Sequence, residues 1–335
     1  MKNIVLCFDG TGNFFGDHLT NPAKIDMMCI DNNSQIVGYE PGVGNFSIFQ
    51  SLRSTYDFLL YLFGGAFGWG VISSEIEAYR FLMNVYEPGD LIFIFGFSRG
   101  AYIARSLCGM LHKCGLLHKE NNQLLSQVQD IYYKKDNEED AEQFKEGLTQ
   151  VCVPHFLGLF DTVNSRGQLT QLLFPMDVAL HPDITYAYHA ISIDEKRRFF
   201  QPLLLNESLG GKNQIVEQIW FAGCHCDIGG FFTDDAGLSD ITLKWMLEKA
   251  SEQGLQLKER FSIAKLKPNI GGCIHESYTG LWKLLGKKVR VIPENSKVHQ
   301  SVFARAMLDP NYTPSNIPYS ASSYPPSQTN SQTTS

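Results

Sequence analysis

The sequence predicts an α/β fold, a mostly parallel sheet with helices on both faces. Short apolar runs rich in β-branched and aromatic residues alternate with helix-like segments, the pattern of parallel strands joined by crossover helices. Each run also breaks directly into a polar turn. Asp9, Ser98, Asp161 and His225 follow such runs, and parallel sheets open their ligand crevice at the carboxyl ends of strands.

Asn3–Phe8 (NIVLCF) reads as a buried strand that ends at the turn cluster Asp9-Gly10-Thr11-Gly12-Asn13. Loop-like sequence follows through Gly38–Asn45. Phe58–Ser74 carries no charge and is rich in aromatics and glycine, and its four glycines argue for a buried or lid-like loop rather than a helix. It falls short of the ~20 apolar residues of a membrane span, yet it is a candidate for peripheral membrane contact. Glu75–Val85 has helical spacing, and Glu87-Pro88-Gly89-Asp90 is a turn that launches the next strand.

That strand opens Leu91–Gly100 (LIFIFGFSRG), and a helix follows over Ala101–Leu111. Strand, Gly-x-Ser-x-Gly and helix is the order of the nucleophile elbow of α/β-hydrolases, where a sharp turn exposes the serine hydroxyl above the sheet. Ser98 is therefore the candidate nucleophile. The polar stretch Asn121–Leu148, including a charge run at Lys134–Asp140, reads as a solvated face.

Val151–Phe160 and Gln214–Ala222 read as further strands, and Leu169–Leu209 between them as an insertion or cap. Leu238–Ala250 is a helix with Ser239 as N-cap. From Pro318 the chain turns polar and low in complexity, which predicts a disordered tail. The expected organisation is one α/β-hydrolase-like domain over 1–318, with a cap at about 165–213 and a tail over 319–335.

A serine hydroxyl needs a base, and the base needs an orienting acid. His225 is the strongest of nine histidines because it follows an apolar strand in a glycine-flanked turn; His275 and His299 are rivals. Asp161 with His225 gives the chain order Ser, Asp, His. Asp227 with His299 gives the same order, so both pairings stand. Arg99, the residue after the serine, would supply one backbone N–H of an oxyanion hole, and Gly10 or Thr11 the other.

The 335 residues, with 44% hydrophobic and 19% charged, describe a globular enzyme-like protein. Net charge −7 argues against a nucleic-acid partner, which demands clustered Lys and Arg. Eight irregularly spaced cysteines make no disulfide framework and point to a reducing compartment. Cys224-His225-Cys226 lacks a second cysteine pair at zinc-ligand spacing, so neither metal nor other cofactor is expected. The Asp9–Asn13 turn lacks the lysine of a phosphate-binding loop. No cleaved leader is visible, which suggests a cytoplasmic protein. The Ser/Thr/Gln tail is a candidate signal for export without one.

Several blocks together resemble a family of α/β-hydrolases that includes phospholipase effectors of type VI secretion. They are FDGTGN (Phe8–Asn13), LTNPAKI (Leu19–Ile25), YEPGVG (Tyr39–Gly44), PGDLIFIFGFSRGAYIAR (Pro88–Arg105), FLGLFDTV (Phe156–Val163), AISIDEKRRFF (Ala190–Phe200), IWFAGCHCDIGG (Ile219–Gly230), VHQSVFAR (Val298–Arg305) and YTPSNIP (Tyr312–Pro318). The resemblance implies an ester hydrolase, a lipase or phospholipase, with Ser98, Asp161 and His225 as its triad and a lipid or other acyl ester as substrate. Cys224 and Cys226 depart from the small residues more common beside that histidine. The alternatives are a non-catalytic interaction protein on the same scaffold and a hydrolase of another acyl bond, peptide or thioester.

Overall fold

A computed structural model describes all residues except 11–17, 43–64, 135–137, 164–177, 208–210, 212 and 325–335. Its sheet has eight parallel strands in the order β10-β9-β8-β7-β6-β3-β1-β2. They are β1 (Asn3–Phe8), β2 (Gln35–Glu40), β3 (Leu91–Phe97), β6 (Phe156–Phe160), β7 (Tyr186–Ser192), β8 (Ile215–Phe221), β9 (Lys297–His299) and β10 (Ser322–Tyr324). A separate antiparallel pair joins β4 (Leu116–Leu117) to β5 (Thr149–Gln150).

Strand side chains alternate between faces with period two, so each strand feeds two cores. Ile4, Leu6, Ile92 and Ile94 pack against α2 (Gly65–Val85) and α3 (Arg99–Cys114). Val5, Cys7, Phe93 and Phe95 face the opposite way, against α1 (Asn21–Met28), and join the core of the long helix Gly237–Glu252. With both faces covered, the strands read as the near-continuous apolar runs that made them legible.

From β1 the chain moves out to β2, returns beneath the sheet as α2, and re-enters beside β1 as β3; every later strand adds on the far side. The order therefore reverses between β1 and β3, where the ends of neighbouring strands open a crevice. Ser98 follows β3 and Asp9 follows β1, both at that point.

The structure differs from the sequence expectations in four places. The stretch expected as an insertion supplies β7, whose Ala187, Ala190 and Ile191 are buried at the centre of the sheet. The glycine-rich segment is helical from Gly65 onward, because Val71, Ile72, Ile76 and Tyr79 bury one face and tertiary packing outweighs the glycine cost; residues 58–64 lie outside the described region. The tail is ordered through Tyr324, since parallel pairing of β10 with β9 uses backbone groups and needs no apolar side chains. Finally, the Gly237–Glu252 helix starts two residues before Ser239, whose hydroxyl donates to the Ala236 carbonyl instead of capping.

Two gaps in the reading also filled. The loop-like N-terminal stretch contains α1, capped by Thr20, and β2. No described helix is long and apolar enough to cross a membrane.

Candidate active site

The turn after β3 explains both glycines of Gly96-Phe97-Ser98-Arg99-Gly100. A Cβ on Gly96 would lie 2.6 Å from the Ala101 backbone, and one on Gly100 would lie 2.4 Å from the Phe8 carbonyl oxygen. Backbone atoms cannot swing aside, so Gly100→Ala is expected to lose about 1–3 kcal/mol through overpacking, measurable by urea unfolding. Ser98 itself sits at φ 58°, ψ −116°, a conformation a side chain adopts only at a cost of about 1–3 kcal/mol. Its own N–H is held by the Phe160 carbonyl at 2.9 Å, which ties the elbow to the end of β6.

Asp161 follows β6 and is likewise left-handed, at φ 44°. In chain order Leu125–Tyr133 is α4, Glu138–Lys145 is α5 and His225–Gly229 is α6, and His225 is the first residue of α6. Cys224 and His225 are thus at a helix start, not on an extended strand. His225 Nε2 lies 2.8 Å from Ser98 Oγ, and Nδ1 lies 2.5 Å from Asp161 Oδ2. An ionised carboxylate only accepts, so Nδ1 carries the proton and Nε2 accepts from the serine hydroxyl. The three side chains come from turns 127 and 64 residues apart in sequence, and all are buried.

The acid is held by more than the imidazole. Arg290, fully buried, donates from Nη1 to Asp161 Oδ1 at 2.6 Å and from Nη2 to Oδ2 at 2.8 Å. The Ser192 N–H donates to Oδ1 at 2.9 Å. Burial works to raise the Asp161 pKa, but the Arg290 charge and the hydrogen bonds from His225 and Arg290 outweigh it and hold the carboxyl well below its usual range. Arg290 also caps the Ser192 and Phe200 carbonyls at 2.8 and 2.6 Å.

A second ion pair supports the histidine. Glu195 accepts from Arg197 Nε and Nη2 at 2.9 and 2.8 Å, from Ser277 Oγ at 2.9 Å, and from the His225 N–H at 3.3 Å. Burial opposes its ionisation, but the Arg197 hydrogen bonds and charge bring its pKa down to about 2. Phe97 and Phe200 flank the imidazole ring at 4.6 and 5.0 Å. Burial lowers the His225 pKa, opposed by the hydrogen bond and charge of Asp161. A neutral imidazole at neutral pH is the form that can take a proton.

The other sequence candidates fall elsewhere. Asp227 accepts from His275, with Nδ1 at 2.5 Å, and from the Cys224 N–H at 2.8 Å. His299 stacks on Phe221 and bonds Ser301 Oγ at 2.8 Å, and burial lowers its pKa to about 4. Asp227 and His299 are therefore not brought together. The Gly10 N–H donates to its neighbour Asp9 at 2.6 Å, which corrects its assignment as an oxyanion donor. Asp9 is a brace, also accepting from Thr20 and Tyr39, both at 2.7 Å. Thr11 lies outside the described residues. Arg99 is the first residue of α3, and the first N–H groups of a helix have no carbonyl of that helix to bond.

All eight cysteines are free, and no group of three potential metal ligands occurs among the described residues. Burial pushes the Cys226 thiol up to about 12, so it packs as an inert apolar group.

Residues 2–249 match the family described as the type VI secretion system phospholipase effector Tle1-like catalytic domain. The chain belongs to this family. A Saccharomyces cerevisiae relative, the uncharacterized protein YEL023C, is 37% identical over 222 residues, which is 60% of this chain and 32% of that protein. The chain thus spans about a third of the length of this curated relative. Among solved structures, the Tle1 effector bound to the VgrG spike is 16% identical with a TM-score of 0.42, covering 69% of this chain and 51% of that one. An uncharacterized protein from Pseudomonas aeruginosa is 19% identical, also with a TM-score of 0.42, over 77% and 46%.

The family match stops at residue 249, and Arg290 lies beyond it. So do Ser277 and the ordered end of the sheet. The structure brings together Ser98, Asp161 and His225, which the sequence reading took from strand ends; that reading did not single out Arg290, which sits in a Lys-Lys-Val-Arg run that reads as surface. The one available hint was its flanking by Val289 and Val291, an alternation that puts the arginine on the opposite side from both.

Proposed function

We propose that the protein is a serine ester hydrolase, a phospholipase or lipase, working through Ser98, His225 and Asp161. Ser98 Oγ attacks the acyl carbonyl carbon while His225 Nε2 takes the hydroxyl proton. Asp161 holds the imidazole in the required tautomer and stabilises the imidazolium. The tetrahedral oxyanion is met by the Arg99 N–H at the start of α3. His225 then returns the proton to the leaving alcohol, giving an acyl-serine, and water, deprotonated by the same imidazole, releases the fatty acid.

One observation carries the reading: an unbroken line of hydrogen bonds from a strained serine through a buried histidine to a clamped carboxylate. A structural serine has no need of a positive φ at a turn whose glycines leave no room for side chains. A lipid substrate follows from membership of a family of phospholipase catalytic domains.

A fluorophosphonate probe should label the wild-type protein at Ser98 and leave Ser98→Ala unlabelled. Lipid-product analysis with mixed phospholipids should show free fatty acid from the wild type alone. Equal labelling of the two proteins, or labelling without any fatty-acid release from lipids or short esters, would sink the proposal.

A further inference from the structure

Two segments meet beside the site, residues 196–200 and 282–291. They are joined by an antiparallel bridge between Arg197 and Lys287, by the Arg198 N–H to Gly286 carbonyl bond at 3.2 Å, and by the Lys288 N–H to Lys196 carbonyl bond at 2.9 Å. Their inward side chains serve the site: Arg290 clamps Asp161, Arg197 pairs with Glu195, and the Phe200 ring sits between Trp282 and His225. Their outward side chains are of two kinds only.

Arg198, Lys283, Lys287 and Lys288 are exposed, and among the described residues none of them forms an ion pair. Interleaved with them are Leu284, 82% exposed, Val291, 77% exposed, and Val289. No Asp or Glu occurs from residue 277 to residue 293 of a chain whose net charge is −7. Of the acids that flank this stretch, Glu276 pairs with Lys196 at 2.8 Å and also feels the charge of Lys287.

We infer that this basic and aliphatic surface is a docking site for an anionic lipid membrane. Positive charge alone would suit any polyanion. Exposed Leu284, Val289 and Val291 among the lysines suit a partner that is charged at its face and apolar just beneath it. Lysine stems lie along such a boundary with their ammonium groups at the headgroups, while aliphatic side chains enter the acyl region. This location differs from the glycine-rich 58–74 segment that the sequence suggested for membrane contact. Because the same two segments carry Arg290, Arg197 and Phe200 on their other side, docking here would bring the bilayer against the His225 side of the site.

The inference concerns binding and is tested apart from catalysis, with the Ser98→Ala full-length chain sedimented with vesicles. Phosphatidylcholine vesicles containing phosphatidylserine should retain it, pure phosphatidylcholine vesicles should not, and raised salt should release it. Each surface lysine contributes about a fivefold change in partitioning, so joint replacement of Lys283, Lys287 and Lys288 by glutamine should weaken binding about a hundredfold. Leu284→Asp with Val291→Asp should also release the protein. In an otherwise wild-type chain, the glutamine variant should hydrolyse a soluble short-chain ester normally, so that loss of docking and failure of the catalytic reading remain distinct. The inference is overturned if the wild-type surface ignores phosphatidylserine, if the lysine variant binds equally well, or if the aspartate variant binds undiminished, which would mark a site for an acidic protein.

Discussion

Asp161→Asn is expected to lower kcat/KM toward a short-chain ester by about four orders of magnitude while leaving the Ser98–His225 contact in place. The effect has a tautomeric origin. Asp161 Oδ2 accepts from His225 Nδ1 at 2.5 Å, which leaves Nε2 free of a proton and able to take one from Ser98. An amide nitrogen turned toward the ring would favour the opposite tautomer, with the proton on the wrong side, and the same substitution in serine hydrolases of other folds costs about 10⁴ in rate. Here a second penalty is added, because the buried Arg290 guanidinium loses its counter-charge. Steady-state kinetics alongside urea unfolding separates the two. A variant that retains a tenth or more of wild-type activity would show that Asp161 does not orient the base.

Much of the site was legible because chemistry and backbone geometry leave the same trace in the sequence. Ser98 was found through Gly96 and Gly100, and their Cβ positions collide with Ala101 and Phe8. Asp161 and His225 stood out as candidates because they follow strands of a parallel sheet, whose carboxyl ends open the crevice. What the residues left open, the choice between two acid–base pairs, depends on which loops fold back over the crevice. That is a long-range property: Asp227 meets His275, 48 residues away, and not His299. The strand β7 was missed for a related reason, since its Tyr186-Ala187-Tyr188-His189-Ala190 run lacks the Val and Ile content that marks a strand. Its small alanines suit a position at the middle of the sheet, a fact invisible until its neighbours β6 and β8 are known. Glycines misled in the other direction at α2, where burial decided the outcome.

The hardest feature to read, Arg290, carries the other large expectation. Arg290→Met should destabilise the protein by about 3–5 kcal/mol at neutral pH, the usual cost of stranding one member of a buried ion pair. The penalty should depend on pH in a direction fixed by Asp161. In the wild type the folded-state pKa of this carboxyl is depressed, so its contribution is fully present above the unfolded value, near 3.8, and is lost only as pH falls toward the lower folded value. Without the guanidinium, burial dominates and raises that pKa. The variant can then relieve its stranded charge by taking up a proton at higher pH, and the stability gap between the two proteins should shrink as pH is lowered from neutral into the carboxylate range. Catalysis gives an independent reading. Arg290 shares the negative charge that would otherwise stabilise the His225 imidazolium, so its removal should raise the imidazole pKa and move the acidic limb of the kcat/KM profile to higher pH. A positioning residue must move that limb, whereas a merely structural one would lower activity at every pH alike. An unshifted profile with a pH-independent loss of stability would therefore reduce Arg290 to a strut. A shifted profile would make the segment beyond residue 249 part of the catalytic apparatus.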